Sequence, residues 1–432
     1  MQRVRSIVPI LSLLTILGAV APAARAGDVL VVGPGERFAT IATAVVSAAD
    51  GDTVLVKSGT YGPFTVQGYG ISIVADAGAN VTVTGGVVVV SVIAGRTVLL
   101  DGLTIQSQAP GVACLGVLSV AGSVRVQRCT LLGAGGSGFL ADCNTVAGNP
   151  DAGATVQLSA AQDVAFTRCT IVGGDGSTVF DLGCAAMGFA WPGGDGGAGL
   201  ALISSRATVY DGEIHGGSAG GGTLGGRGGF GASASSGSLL VLVNASVTGG
   251  DGGAALDPFT PTLGGAGGHA LSLNLGAQGK LLDCQLAGGV GGSGPAGQGA
   301  AGQSIFGPGV ATLWPGESKS LTLGTVLREG ESTTVSVTGE PGELASLFVS
   351  LHAGALLVPK AKGVLLLGVQ SLLGPLVLGA IGPGGSASVD AQMPDVPAGL
   401  LGIDVWLQAA VGAGASATLS SWGHLTLLDA AL

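Results

Sequence analysis

The side chains able to do acid–base chemistry are few, and they gather on one repeated phrase. Asp211, Glu213 and His215 are spaced i, i+2, i+4 in Val209-Tyr210-Asp211-Gly212-Glu213-Ile214-His215-Gly216-Gly217. In an extended strand alternate side chains share a face. With Ile214 turned inward, Glu213 and His215 therefore point outward together. Arg168 aligns with Asp211 one repeat earlier, Arg128 two repeats earlier, and Asp283 two repeats later. A base, an acid and a guanidinium within ~10 Å are the parts a lyase or a hydrolase needs. Arg168, Asp211, Glu213 and His215 are thus the candidate catalytic residues. The same pattern also reads as a surface Arg168–Asp211 pair among solvated polar groups, worth ~0–1 kcal/mol.

Gly-Gly-Asp-Gly occurs at Asp175, Asp195 and Asp251. A calcium loop of the repeat-toxin nonapeptide type wants a second Asp three residues on, where this chain has Thr178, Ala198 and Ala254. Asp175 and Asp251 fall at equivalent sites with one repeat between them. That puts them ~9.6 Å apart at ordinary strand spacing, too far to share an ion held at ~2.4 Å. The expectation is no cofactor. Calcium is the one cation these loops raise, and an Asp in a glycine turn otherwise satisfies the backbone.

Cys143 follows Cys129 by 14 residues and Cys184 follows Cys169 by 15. Cys143 and Cys184 thus occupy similar places in the loops of adjacent repeats, and a Cys143–Cys184 disulfide is expected, with Cys114 as the competitor. Cys129 and Cys169 read as buried small residues, with a second bridge as the alternative. The spacings match no zinc motif. Phe180, Phe189, Trp191 and Phe230 lie in the loops, where they form a patch for sugar stacking or pin the loops down. His269, His352 and His424 are isolated and read as structural.

The elements that must position these groups are copies of the phrase itself. Further copies are Val126 to Leu131, Phe166 to Gly174, Leu242 to Gly250 and Leu281 to Gly289, with a weaker one from Leu100 to Ile105. Taking Leu103, Cys129, Cys169, Gly212, Ala245 and Cys284 as equivalent, the steps are 26, 40, 43, 33 and 39 residues. Irregular steps suit a solenoid with a constant coil and variable loops. Val126, Phe166, Val209, Leu242 and Leu281 stack inside, as do Leu131, Ile171, Ile214, Val247 and Leu286. The outward ladder is Thr130, Thr170, Glu213, Ser246 and Gln285, with only one charged rung. Gly, at 83 of 432 residues, reads as tight turns between short strands.

The opening of the mature chain carries a resemblance. Val32-Gly33-Pro34-Gly35, Phe38-Ala39-Thr40-Ile41, Ala48-Ala49-Asp50-Gly51-Asp52-Thr53-Val54 and Gly59-Thr60-Tyr61 resemble the first motif of right-handed parallel β-helix proteins of the pectin-lyase-like superfamily. The match covers about 30 residues. It implies an N-terminal capping helix and a first coil, and it is specific for the fold rather than for an activity. Departures are plain: Asn144-Thr145 is followed by Val146 rather than an acid, no Asp-Asp pair exists, and no Lys lies between Lys57 and Lys280. The calcium ligands of the pectate-lyase arrangement are not found either.

Arg3 and Arg5, the apolar run Ile7 to Val20, and Ala24-Arg25-Ala26 read as a signal peptide over 1–26. Its removal leaves 13 basic against 26 acidic residues, a net of −13, and no transmembrane segment. Such a balance argues against nucleic acid and anionic membranes. From Trp314 on, about nine short strands alternate with turns and read as an antiparallel β-sandwich. The expected protein is all-β: a signal peptide (1–26), a right-handed parallel β-helix solenoid with an N-terminal capping helix (27–312), and a small antiparallel β-sandwich (313–432). The expected role is an exported, non-catalytic scaffold that binds a polysaccharide, a cell surface or a matrix component. The alternative is a divergent polysaccharide lyase or glycoside hydrolase working on the outer face of the helix.

Overall fold

The alternating strands of the phrase stack in parallel register. The structure, a computed structural model, describes residues 27–397, 399–412 and 417–432. The leader read over 1–26 lies outside the described residues. A first sheet has ten parallel strands, from Val29–Val32 to Val310–Trp314. A second and a third have eight each, from Gly59–Tyr61 to Gln285–Ala287 and from Phe64–Gln67 to Ile305–Phe306. Each coil visits the three sheets in turn, so the chain is a parallel β-helix. Its last strand, Val310–Trp314, runs across the boundary read at 312/313.

The inward files are those the repeat assigns. Val126, Phe166, Val209, Leu242 and Leu281 pair in one register, and Leu131, Ile171, Ile214, Val247 and Leu286 in another. All are buried except Leu286, at the last coil. Burying one such side chain contributes ~1.5–3 kcal/mol, while an exposed ion pair contributes ~0–1 kcal/mol. The inward files therefore fix the register, since a one-residue slip would expose all of them. Cys129 and Cys169 are free, buried thiols in the core, as expected.

Between the first and second sheets the chain turns on one residue per coil. Arg128, Arg168 and Asp211 have φ 51°, Asn244 50° and Asp283 54°. This left-handed conformation costs a non-glycine residue ~1–2 kcal/mol, less for Asn and Asp, and the stacked coils on either side hold it in place. At the N-terminal end the helix Ile41–Ser47 begins at Thr40, whose side chain accepts from the Thr43 amide at 3.2 Å. Its buried face, Ile41, Ala44 and Val45, joins Val32, Val54 and Val66 in one core and closes the first coil. The last coil has no such plug among the described residues, and Leu313 there is 71% exposed.

Glycines such as Gly51, Gly78, Gly95 and Gly276 do make turns at positive φ, but those clustered after the second sheet do not. After the second sheet each later coil sends out a straight leg and takes one back, in triplets that are mostly Gly-Gly-X and have glycine in the middle except at Ser177. The outgoing legs include 173–178, 216–221, 249–254 and 288–293; the returning legs include 193–198, 225–230, 264–269 and 298–303. The first residue of a triplet bonds within its layer: Gly176 N to Ser218 O, Ala219 N to Asp251 O and Gly252 N to Val290 O, each at 2.8 or 2.9 Å. The second bonds across layers, in a zigzag from Gly302 through Gly289, Gly268, Gly250, Gly229, Gly217 and Gly197 to Gly174, every step 2.7–2.9 Å. The third faces out. Three residues per turn without bonds inside a leg is the geometry of a polyproline II helix. A side chain on the second position has no room. A Cβ on Gly250 would stand 1.8 Å from Gly217 O, and one on Gly253 1.8 Å from Gly220 O.

The C-terminal unit packs a three-stranded sheet (Leu321–Thr322, Ser332–Thr338, Ser386–Gln392) against a five-stranded one containing Val326–Arg328, Leu344–Ser350, Leu373–Ala380, Gly402–Val411 and Thr418–Leu428. All pairs in the two sheets are antiparallel except Val326–Arg328 with Thr418–Leu428. Every residue of Thr418–Leu428 is buried. Leu425 and Leu427 enter the sandwich core, while Trp422 and Leu428 pack with Trp406 against Leu99, Tyr210 and Val241 of the first solenoid sheet. The sandwich thus covers the outer face of that sheet.

Candidate functional site

The four candidate residues fall into two pairs. Arg168 and Asp211 sit on the left-handed corners, at the seam with the sandwich. Arg168 Nη2 donates to Leu321 O at 3.1 Å, and Ser320 Oγ donates to Asp211 Oδ1 at 2.8 Å. One coil further, Asn244 Nδ2 donates to the same Asp211 oxygen at 2.7 Å. Two coils beyond Asp211, Asp283 Oδ2 accepts from Ser318 N at 3.2 Å and Ser318 Oγ at 2.8 Å. The segment 318–321 therefore runs down the corner ladder with a bond to three of its rungs. Burial lowers the Arg168 guanidinium, with Arg128 adding to the effect and Asp211 opposing it. These two residues hold the C-terminal unit in place.

Glu213 and His215 lie on the outer face of the second sheet, as the alternation assigns. His215 Nε2 is 3.9 Å from Glu213 Oε2, and its Nδ1 bonds Thr248 Oγ1 at 2.7 Å. Their neighbours on the ladder are Thr170, Ser246 and Gln285. The face is open, but the guanidinium and the carboxylate at the corner are engaged with the sandwich. At 3.9 Å Glu213 and His215 are beyond direct hydrogen-bond reach, and neither corner residue joins them on this face.

The seam carries a denser polar network. Asp404 bonds Ser72 across the seam, accepts from Thr426 Oγ1 at 2.9 Å and lies 3.0 Å from His424 Nε2. The His424 amide donates to Gln127 Oε1 at 3.1 Å, Gln127 Nε2 to Asp101 Oδ2 at 3.3 Å, and Arg128 Nε to Asp101 Oδ1 at 2.9 Å. Asp404 lies between Ser72 and His424, so the three do not form a hydroxyl–imidazole–carboxylate relay, in which the imidazole must be central. Burial raises the Asp101 carboxyl above the usual range, with Arg128 and His424 opposing. A cleft of about 420 Å³ opens beside this network, lined by Ser72, Arg96, His352, Asp404 and Trp406 among others.

The glycine-loop aspartates each take a backbone amide of the next coil. Asp175 Oδ1 accepts from Ser218 N at 2.7 Å, Asp195 Oδ1 from Arg227 N at 2.7 Å and Asp251 Oδ1 from Val290 N at 2.9 Å. No group of three or more His, Cys, Asp or Glu side chains suited to a metal occurs among the described residues.

Beyond the glycine legs lies a surface that sequence reasoning missed. Cys143 and Cys184 are joined, as expected, with Cα atoms 5.1 Å apart. The bond ties the hairpin Phe139–Asp142/Thr145–Ala147 to the short helix Leu182–Ala186. Trp191 Nε1 donates to Cys143 O at 3.0 Å, and Phe180, Phe189 and Trp191 line the small space over the disulfide. Those aromatics pin the loops. The exposed groups are different ones: Phe139 60%, Leu182 55%, Met187 65%, Leu224 46%, Phe259 60% and Leu263 56%. The turns that carry them adjoin, through the bridges Pro192–Leu224 and Gly222–Ala255, the bond from Thr262 Oγ1 to Thr223 O and that from Ala296 N to Thr262 O. The signal in the sequence is where the Gly-Gly-X triplets stop, because those residues are the far turns of straight legs.

No protein-family model matches the chain, and no curated protein matches it. Among solved structures, one similarity is to the receptor-binding protein of bacteriophage Det7, a podoviral tailspike in a myovirus. The two share 10% identity over 84% of this chain and 98% of that one, with a TM-score of 0.14. A similarity this slight transfers nothing of that protein's role.

Proposed function

We propose that the protein is an exported, non-catalytic β-helix scaffold of the pectin-lyase-like type, and that it binds a surface, matrix or carbohydrate component through the turns at the far end of its glycine legs. The observation that carries this reading is the set of large apolar side chains, from Phe139 to Leu263, standing exposed on adjoining turns. Contiguous exposed apolar area on a folded protein marks an interaction site. The glycine lattice and the Cys143–Cys184 bond support it further, because a surface held in shape before binding loses little entropy on contact.

A second reading is kept because Glu213 is exposed and the half-buried His215 stands beside it. In it the outer face of the second sheet cleaves a polysaccharide, as a divergent lyase or hydrolase. The test is incubation with acidic and neutral polysaccharides, with and without calcium. The scaffold reading expects no turnover in any of them and retention on a surface or matrix fraction. Turnover that His215→Ala abolishes, with Thr170→Ala as a control on the same face, would overturn it.

A further inference from the structure

Resting on that reading, we infer that the partner of the far turns is a polypeptide surface that is apolar at its centre and basic around it. The first ground is the kind of apolar group exposed. Leu182, Met187, Leu224 and Leu263 are aliphatic, with Phe139 and Phe259 exposed beside them, while Phe180, Phe189 and Trp191 are turned to pinning the disulfide. Aliphatic surface gains little from a polar sugar, whereas interfaces between proteins enrich Met and aromatic residues at their centres.

The second ground is charge. The legs and turns over 133–155, 173–199, 216–231, 249–270 and 288–304 carry seven acids, Asp142, Asp151, Asp175, Asp181, Asp195, Asp251 and Asp257, against one base, Arg227. Those on the outward triplet positions point away from the lattice on both flanks. Asp175 and Asp251 lie on one flank, Asp151 and Asp195 on the other, all exposed. Such a surface steers basic partners and repels anionic glycans, anionic membranes and a second copy of itself. Apolar centre and acidic surround together select a basic, apolar protein face.

The test uses the full chain on a sensor surface. The probes are a synthetic peptide of alternating leucine and lysine, its leucine–glutamate counterpart, phosphatidylcholine–phosphatidylglycerol vesicles and a neutral glucan. Expected is binding to the leucine–lysine peptide at least tenfold tighter than to the other three, weakening as salt is raised. The triple variant Met187→Ser, Phe259→Ser, Leu263→Ser should weaken it tenfold or more. The variant Asp175→Asn, Asp195→Asn, Asp251→Asn keeps an acceptor oxygen for each amide and should flatten the salt dependence. Equal binding of the leucine–glutamate peptide overturns the basic partner, as does a flat salt response of the unaltered protein. Preference for glucan or vesicles that the serine variant abolishes overturns the partner class but leaves the far turns as the binding surface. Binding that the serine variant leaves unchanged overturns both.

Discussion

Replacing Gly250 with alanine should open the glycine lattice at one point while leaving the β-helix standing. The new Cβ would sit 1.8 Å from Gly217 O and 2.4 Å from Gly217 C, where ordinary contact begins at 3.4 Å. The obstruction is backbone on a neighbouring leg, so no side chain can rotate away. The legs must part by more than an ångström, and three zigzag bonds meet at this point: Gly229 N to Gly217 O at 2.8 Å, Gly250 N to Gly229 O at 2.9 Å and Gly268 N to Gly250 O at 2.7 Å. At ~0.5–1.5 kcal/mol net per bond the loss is roughly 1.5–4.5 kcal/mol. The smaller unfolded-state entropy of alanine returns ~0.4–1 kcal/mol. The net, roughly 1–4 kcal/mol, corresponds to ~5-fold to ~1000-fold faster amide exchange where opening is local. The assay is hydrogen exchange at Gly229, Gly250 and Gly268, with buried strand amides such as those of Val241 and Leu242 as internal reference. Gly116→Ala is the control: it is a strand glycine whose Cβ would meet nothing within 4 Å. Exchange at the three lattice amides within twofold of the unaltered protein would refute the packing argument.

Three further outcomes are expected. Tyr210→Phe removes the buried hydroxyl that donates to Val364 O at 3.2 Å and accepts from Val364 N at 2.9 Å; Val364 O keeps its bond from Gln408 Nε2 at 2.9 Å, but leaving the Val364 amide unpaired should cost ~1–3 kcal/mol, read as earlier exposure of Trp406 and Trp422 in a fluorescence-monitored denaturant titration. Burial pushes the Asp404 carboxyl up, but His424, Ser72 and Thr426 outweigh it and hold it below the usual aspartate range. A folded value below the unfolded one gives stabilisation that is complete above the ordinary aspartate range and is lost as pH falls through the lowered value, so the seam should loosen on acidification below that range; Asp101, raised by burial, acts in the opposite sense. An acid transition unchanged in Asp404→Asn would contradict this. Cys114, Cys129 and Cys169 are buried, and burial pushes the Cys114 and Cys169 thiols up to about 12 and Cys129 well up too; with so little thiolate, they should resist alkylation at pH 8 until the protein unfolds, and labelling of the native protein at any of them would count against their placement.

The coil was legible because one face of every strand is buried and the strand period is two. Val209, Phe166 and Leu242 could be aligned only one way without exposing a whole file. The disulfide was legible for a related reason: Cys143 and Cys184 lie almost equally far beyond Cys129 and Cys169, and stacked coils turn equal offsets into proximity. The glycine legs read as turns because no three-residue glycine period runs through the chain as a whole: the Gly-Gly-X triplets come in pairs, as at 249–254 and 264–269, too short to show a period of three. The seam was out of reach for a different reason. Ser72 and Asp404 are 332 residues apart, and nothing periodic links a solenoid rung to a sandwich strand. Arg168 and Asp211 therefore read as free chemistry when they were docking contacts.

The glycine lattice also divides the chain by tolerance to change. Its middle positions are glycine in every leg named above except at Ser177, whereas the turns, once past the bonds from Val179 N to Gly221 O and from Ala255 N to Ser293 O, answer chiefly to one another and to the Cys143–Cys184 link. Between Val179 and Pro192, with Cys184 and the pinning Phe180, Phe189 and Trp191 left in place, and between Ala255 and Leu263, replacements would therefore alter what is presented without disturbing what presents it. Natural variants of this protein should diverge fastest in those two stretches and keep their Gly-Gly-X rows unaltered, and the same stretches are where a new recognition sequence can be grafted.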